Sequence, residues 1–282
     1  MAVFYIKPKF SLHWESLLYG HGWIFLSPFN AMHGEPTFTC LIRNGELRFG
    51  KVKFSFTCKR GIRIETQRKL SVRSKEHLIK VSSRMFSLNE DLSRFHVMCN
   101  KHKHLKLVAK IGAGNLLKSP TVFEDVVKTI CTTNCSWANT KLMCQRLCSL
   151  ADGYFPSAEQ IIRVGLQELK EYVRAGYRAE YIYEFAERIT SSEINPEAWP
   201  TMVRDIRRNE IASIRGVGAY ALNHILFLIG DYSQIPIDSE VTKWMSDNVF
   251  TKIKASENNI NKYYSNYGEW KFLAYKFSRI LQ

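Results

Sequence analysis

The chain has 282 residues, of which 45% are hydrophobic and 13% aromatic, so it can bury a sizeable core. This composition excludes a disordered or low-complexity chain, and no run of about 18 apolar residues predicts a membrane-spanning segment. The formal net charge is +14, from 40 Lys and Arg against 26 Asp and Glu, and it favours a polyanionic partner such as a nucleic acid backbone.

The N-terminal residues Met1–Phe10 alternate apolar and basic side chains and lack the apolar segment and cleavage site of a signal peptide. We therefore expect an intracellular protein with no membrane partner, in which cysteines are reduced thiols. The spacing of four of the seven cysteines also permits a metal site, although each pair lies four residues apart in segments that read as helix. These four are Cys131, Cys135, Cys144 and Cys148.

The first 85 or so residues alternate apolar and polar side chains, which predicts antiparallel strands. The dipeptide Asn44-Gly45 is a strong hairpin signal between two such segments. The segments are Thr37–Arg43, Glu46–Phe49, Lys51–Thr57 and Gly61–Glu65. We therefore predict an antiparallel β domain over residues 1–87.

After Leu88 the hydrophobic period changes to that of helices, with Asn89 as a predicted N-cap. The dipeptide Ser119-Pro120 predicts another helix start, and Ser157 a third. Because no internal repeat or long linker follows, we predict an α+β fold with a mostly helical domain over residues 88–282.

The most informative stretch is the segment Glu210–Tyr220, which reads as two helices joined by Gly216, Val217 and Gly218. Two glycines permit a sharp turn and let a phosphate approach the backbone, where the amides of the second helix would face it. An ordinary turn between helices is the alternative interpretation. The pattern predicts a helical hairpin at residues 204–230 that grips the DNA backbone.

Asp238 follows this hairpin, 20 residues beyond Gly218, where the chain returns toward the same end of the second helix. The segment after it reads as helix, so Asp238 is also a predicted N-cap. A cap and a functional carboxylate are compatible roles for one side chain.

These residues together resemble the helix-hairpin-helix, Gly/Pro-Asp superfamily of DNA glycosylases. The resemblance extends over nearly the whole chain, to 8-oxoguanine DNA glycosylases in most segments and to 3-methyladenine DNA glycosylase II at the hairpin and in the N-terminal domain. The segments that carry it are Met85–Leu92, Phe123–Ile130, Thr132–Asn134, Ala175–Tyr181 and Asn266–Trp270. It implies an N-terminal antiparallel β-sheet domain followed by a helical glycosylase domain.

The resemblance implies that Asp238 is the catalytic carboxylate, which stabilises positive charge on the sugar as the N-glycosidic bond breaks. It further implies that Asn134 fills the gap left by a flipped nucleotide, and that Tyr177 enters the opposite strand with Arg178 beside it. For Asn134 a helix cap, and for Tyr177 a buried core position, are the alternatives.

By the same resemblance, the backbone carbonyls of Ala212, Ile214 and Val217 would hold a structural Na⁺ or K⁺ ion. No cofactor is implied for the chemistry, and the sequence has no four-cysteine run for an iron–sulfur cluster. The implied partner is double-stranded DNA with a damaged base, bound by a monomer.

Departures from the family pattern indicate the chemistry. Tyr220 stands where bifunctional members carry the lysine that forms a Schiff base, which predicts a monofunctional enzyme. Glu240 replaces a histidine and Phe272 a base-reading glutamine of the 8-oxoguanine branch, and Arg215 replaces the hairpin proline.

The predicted base pocket is lined by aromatic rings, which suit electron-poor bases. Its residues are Trp137, Tyr220, His224 and Phe272. Excision of an alkylated or deaminated purine is the function that this pocket favours. The alternatives are an 8-oxoguanine glycosylase and a non-catalytic binder of damaged DNA.

Overall fold

Strand alternation places one face of each N-terminal strand in the core of the computed structural model. The model describes residues 1–45, 47–251 and 253–280, and of Asn44 only the backbone. Glu46, with which the predicted second strand begins, lies outside the described residues. So do Lys252, within the predicted helical domain, and Leu281 and Gln282 at its end.

The N-terminal sheet has five antiparallel strands in the order β1-β5-β4-β3-β2. The strands are β1 (Ala2–Ile6), β2 (Phe29–Ala31), β3 (Phe38–Asn44), β4 (Leu47–Thr57) and β5 (Gly61–Thr66). Phe54 of β4 pairs with Ile64 of β5, and both are fully buried, because the register puts the apolar residues of neighbouring strands on the same face.

The rest of the chain is mostly helical. The helices are α1 (Trp14–Tyr19), α2 (Val72–Met85), α3 (Ser93–Lys101), α4 (Lys106–Ile111), α5 (Val122–Thr132), α6 (Trp137–Ser149), α7 (Ala158–Val164), α8 (Leu166–Glu171), α9 (Arg178–Thr190), α10 (Arg204–Ala212), α11 (Ala219–Leu228), α12 (Ser239–Asn248), α13 (Glu257–Tyr263) and α14 (Lys271–Ile280). Short 3-10 helices cover Trp23–Phe25, Lys103–Leu105, Pro196–Thr201 and Ser265–Trp270. A sheet followed by helices confirms the predicted α+β class.

The expectation that strands fill the first 85 residues is wrong at α1 and α2. Ser71 caps α2 by accepting the Ser74 amide, and Leu78, Val81 and Met85 recur at helical spacing on its buried face. The division of the chain at residue 87 stays a prediction, and one hydrophobic cluster runs from Phe4 to Phe277.

Three smaller expectations also differ from the structure. Helix α3 begins at Ser93 rather than after Asn89, because the Asp91 carboxylate accepts the Ser93 amide. Helix α5 begins after Thr121, whose hydroxyl accepts the Glu124 amide, rather than at Ser119. Cys135 lies in the loop beyond α5 and not on a helix.

Cys131 of α5 and Cys144 of α6 have thiols in direct contact. The hydrogen bond with Cys144 of α6, and next burial, raise the pKa of Cys131. Cys144 and Cys148 lie one turn apart on α6, as expected. In the described parts of the chain, no group of three or more His, Cys, Asp or Glu side chains could hold a metal ion. Nor is any helix there long and apolar enough to cross a membrane.

A buried carboxylate on α5 joins the N-terminal part of the chain to the helices. Asp125 is fully buried, and its Oδ2 accepts a hydrogen bond at 2.7 Å from Arg84 of α2. Its Oδ1 accepts the Trp23 indole N–H at 2.8 Å and the Ser119 amide at 2.9 Å. A buried charge is tolerated only when it is paired and hydrogen-bonded in this way.

These contacts also set the ionisation of Asp125. Burial alone would raise the pKa of its carboxyl group, but the Arg84 guanidinium and the three hydrogen bonds outweigh burial and lower the pKa. The carboxylate therefore stays ionised inside the protein.

We predict that Asp125→Asn lowers the free energy of unfolding by about 3–5 kcal/mol, because Arg84 loses the partner of a buried pair. The folded-state pKa of Asp125 is lowered, so its stabilisation is present above the unfolded pKa of about 4 and is lost as the pH falls through the folded value. The difference between wild type and variant in urea denaturation should therefore shrink on acidification. Asp152→Asn, at an exposed pair with Arg48, is the control and should change little.

Candidate active site

The predicted helical hairpin is formed by α10 and α11, with Gly216, Val217 and Gly218 between them. Gly216 adopts φ +87°, and a Cβ built on it would lie 2.2 Å from the Tyr181 ring of α9. Only glycine fits so close a contact at positive φ. Gly218 is different, because a Cβ there meets nothing within 4 Å and its backbone is open at the N-terminus of α11.

The residues predicted to contact DNA are linked to this hairpin by a series of side-chain contacts. Tyr181 packs against Gly216 on one side and against the Tyr177 ring, at 5.5 Å between centroids, on the other. Tyr177 is 48% exposed, which excludes the core position considered for it. The Arg178 guanidinium lies 4.5 Å from the Tyr177 ring centroid.

Arg178 continues the series to the loop of Asn134. It is buried and donates hydrogen bonds to the carbonyls of Thr133 and Asn134, the latter at 2.9 Å. Asn134 is exposed, with a left-handed backbone (φ 44°), and the N-cap of the next helix is Ser136 instead. The structure therefore gives Arg178 the position of a residue that holds the Asn134 loop, while contact of Arg178 with DNA stays a prediction.

The three carbonyls considered for an alkali cation belong to the same turn. Ala212 is the last residue of α10, and the Ile214 carbonyl accepts the Val217 amide at 3.0 Å. Uncharged backbone oxygens suit a hard cation such as Na⁺ or K⁺. A cation at this turn remains a prediction.

Arg215, which replaces the family's hairpin proline, is held by α9. Its guanidinium lies 5.1 Å from the Tyr181 ring centroid and pairs with Glu180 at 3.3 Å and Glu184 at 3.5 Å. These contacts tie the turn to the helix that carries Tyr177.

A cavity of about 570 Å³ opens beside the hairpin and contains the predicted pocket residues together with Asp238. Trp137, at the start of α6, is 40% exposed, while Phe272 and His224 are buried in its wall. Phe272 of α14 stacks on Phe227 of α11, with 4.2 Å between the ring centroids. The cavity is therefore lined by rings from α6, α11 and α14.

Asp238 caps a helix and also lines the cavity. Its Oδ1 accepts the Val241 amide at 2.7 Å and so caps α12. Within the described part of the chain, Oδ2 has no hydrogen-bond or ion-pair partner. The cap fixes the carboxyl group and leaves one oxygen for the cavity that Asp238 lines.

Tyr220 and His224 lie one turn apart on α11, with ring centroids 5.5 Å apart. Burial raises the pKa of Tyr220 to about 12, so its phenol is protonated at neutral pH. Burial lowers the pKa of His224 well below its usual value, so this imidazole is neutral. Its Nε2 atom is buried without a hydrogen-bond partner.

The N-terminal part of the chain contributes a wall that the sequence did not indicate. His21 and Trp23 line the cavity, and the Trp23 ring lies 4.9 Å from His224. The His21 Nε2 atom contacts the Leu117 carbonyl at 2.5 Å, and burial lowers the pKa of His21 to about 3. Nothing local in the sequence relates residue 21 to residue 238.

Lys276 and Arg279 of α14 also line the cavity and were missed. Their spacing could have revealed them, because Lys276 is four residues after Phe272 and so lies on the same helix face. Arg279 pairs with Glu240 at 2.8 Å and donates to the Tyr275 hydroxyl at 2.8 Å. Glu240 thus joins α12 to α14 at the position where the 8-oxoguanine branch has histidine.

One protein-family model matches part of the chain. Residues 127–261 match the model of the HhH-GPD superfamily base excision DNA repair protein. No curated protein sequence matches the chain significantly. The matched segment is slightly less than half of the chain and contains the helical hairpin and Asp238, so this part of the chain is similar to that superfamily.

Solved structures share the fold along the whole chain. The 3-methyladenine DNA-glycosylase from Archaeoglobus fulgidus has a TM-score of 0.77 at 17% identity, with 100% of both chains covered. The Clostridium acetobutylicum 8-oxoguanine glycosylase/lyase has a TM-score of 0.74 at 17% identity, with 99% of this chain and 98% of that chain covered. Similarity to both kinds of glycosylase shows the fold and leaves the lesion open.

The two hairpin glycines give a prediction that separates folding from DNA binding. Gly216→Ala should lower the melting temperature, because the new methyl group collides with Tyr181 at positive φ. Gly218→Ala should leave the melting temperature unchanged and weaken binding to an undamaged duplex, because its methyl group occupies the space through which a phosphate would approach. Thermal unfolding and fluorescence anisotropy measure the two effects. Wild-type affinity in Gly218→Ala would contradict the placement of DNA at this turn.

Proposed function

We propose that the protein is a monofunctional DNA glycosylase that hydrolyses the N-glycosidic bond of a damaged purine, alkylated or deaminated. The observation that supports this best is the cavity in which Asp238 lies beside aromatic walls. A base turned out of the duplex could stack there, with its sugar toward the carboxylate. Asp238 would stabilise the positive charge that develops on the sugar, or orient the attacking water.

The DNA-facing residues support a mechanism in which the base is flipped. Asn134 is exposed in a loop between cavity-lining residues, and Tyr177 is exposed on the neighbouring helix end. We propose that Asn134 fills the vacated position in the duplex and that Tyr177 enters the opposite strand. Arg178 would hold Asn134 and Tyr177 in a fixed relative position, since it contacts both.

Tyr220 supports hydrolysis without strand cleavage. A protonated phenol replaces the hairpin amine that bifunctional members use, so no Schiff base forms at this position. We also propose that the carbonyls of Ala212, Ile214 and Val217 bind a structural Na⁺ or K⁺ ion next to the DNA phosphate.

The first test uses labelled duplexes that each carry one lesion: an alkylated purine, hypoxanthine, 8-oxoguanine or uracil. We expect strand breaks only after hot alkali, and only with the alkylated purine or hypoxanthine, because base release alone leaves an alkali-labile abasic site. Release confined to 8-oxoguanine would favour the alternative substrate. A product trapped by borohydride would contradict monofunctional chemistry, and Lys276 would then be the first amine to map by mass spectrometry.

The role of Asp238 gives a second prediction. Asp238→Asn should reduce the single-turnover rate at least about 100-fold and leave the melting temperature nearly unchanged, because asparagine caps a helix as well as aspartate does. Asp238→Ala should lose the activity and also about 1 kcal/mol of stability with the cap. Asp247→Asn changes the same charge on the exposed end of α12 and should keep wild-type turnover. A protein that binds damaged DNA but shows no turnover to lose would be a non-catalytic binder.

A further inference from the structure

Lys276 is a cation inside the cavity for which the proposed function has no role. It follows Phe272 by one turn of α14 and lines the same cavity as Asp238 and His224. Because Lys276 lines the cavity, its ammonium group could contact a bound base directly.

The ammonium group of Lys276 is free of direct partners. In the described residues it makes no hydrogen bond or ion pair, whereas the neighbouring Arg279 is held by Glu240 and the Tyr275 hydroxyl. Burial, and next the charge of Arg279, lower the pKa of Lys276 to about 8. The amine is therefore mostly charged at neutral pH and available to a ligand.

The two imidazoles that line the cavity with Lys276 carry no negative charge that could offset a second cation. Burial lowers the pKa of both His21 and His224, and the positive charge of Lys276 contributes to each shift. Two imidazoles are thus kept neutral beside one charged lysine. The carboxylates at the mouth are Asp238, which caps α12, and Glu240, which pairs with Arg279.

We propose that Lys276 is a specificity-determining residue that selects an uncharged purine with a carbonyl oxygen and disfavours a cationic N-alkylated purine. This inference rests on the proposed function and narrows its substrate class from alkylated or deaminated purines to deaminated ones. Deamination of adenine creates a carbonyl oxygen that can accept a hydrogen bond from an ammonium group. Methylation at N3 or N7 of a nucleotide leaves a positive charge on the ring, which Lys276 would repel.

Binding measurements on uncleavable duplexes test the charge preference without turnover. The pair to compare carries 2′-fluoro-7-methylguanine or its neutral isostere 2′-fluoro-7-methyl-7-deazaguanine, at about pH 6.5, where the first base and Lys276 are both charged. We expect wild type to bind the neutral isostere at least about tenfold more tightly. Lys276→Met should remove this preference.

Two variants control for net charge and folding. Lys271→Met removes the same charge at the start of α14, outside the residues that line the cavity, and should keep the wild-type preference. Lys276→Arg retains a positive charge and should also keep it. Melting temperatures verify that each variant folds, and Lys276→Gln replaces Lys276→Met if the methionine variant does not.

A second pair tests the hydrogen bond. Lys276→Met should weaken binding to a 2′-fluoro hypoxanthine duplex and leave binding to 2′-fluoro-1,N6-ethenoadenine, which is neutral and lacks the carbonyl, unchanged. An equal effect on both bases, or a charge preference that survives in Lys276→Met, overturns the inference. Failure of the proposed function is a separate result, since it appears as intact binding preferences with no release of any base from cleavable duplexes.

Discussion

The buried carboxylate of Asp125 is the interaction on which the cavity depends. Its pairing with Arg84 joins α2 to α5, and its bond from the Trp23 indole fixes the ring that packs against His224. Because desolvation of a lone carboxylate costs several kcal/mol, these donors have to stay in place for the protein to remain folded. The N-terminal part of the chain therefore forms a wall of the proposed base pocket.

Two interactions in the cavity would act in opposite directions on a cationic base, and their free energies decide which one prevails. Aromatic walls attract a cationic base with about 0.5–2 kcal/mol per favourable ring. Two like charges at about 5 Å repel by about 3 kcal/mol at an effective dielectric constant of about 20. With Lys276 charged, repulsion is at least as large as the attraction of a single ring. Under the proposed function, the aromatic lining alone therefore does not decide which damaged base is favoured.

Local features of the sequence were sufficient to predict the helical hairpin and the helix cap at Asp238. Gly216, Gly218 and Asp238 lie within one continuous stretch, where glycine geometry and capping are decided by near neighbours. The sequence did not indicate His21 or Trp23, because these residues lie more than 200 positions before Asp238 and meet it only in the folded cavity. Helix α2 was missed for another reason: basic and polar residues on its exposed face masked the helical spacing of Leu78, Val81 and Met85.

The cavity lining draws on parts of the chain that the series of contacts between Asn134 and Gly216 does not use. The series from Asn134 through Arg178, Tyr177 and Tyr181 to Gly216 lies between residues 134 and 216, and each link is a direct contact. The cavity lining recruits residues 19–25 and α14, which lie outside that range. Under the proposed function, substitutions at Phe272, Lys276 or Glu240 would therefore change which base is accepted without disturbing the contacts that place the hairpin. This separation gives a physical reason why one fold accommodates glycosylases with different lesions, and why the lesion has to be inferred from the lining of the cavity.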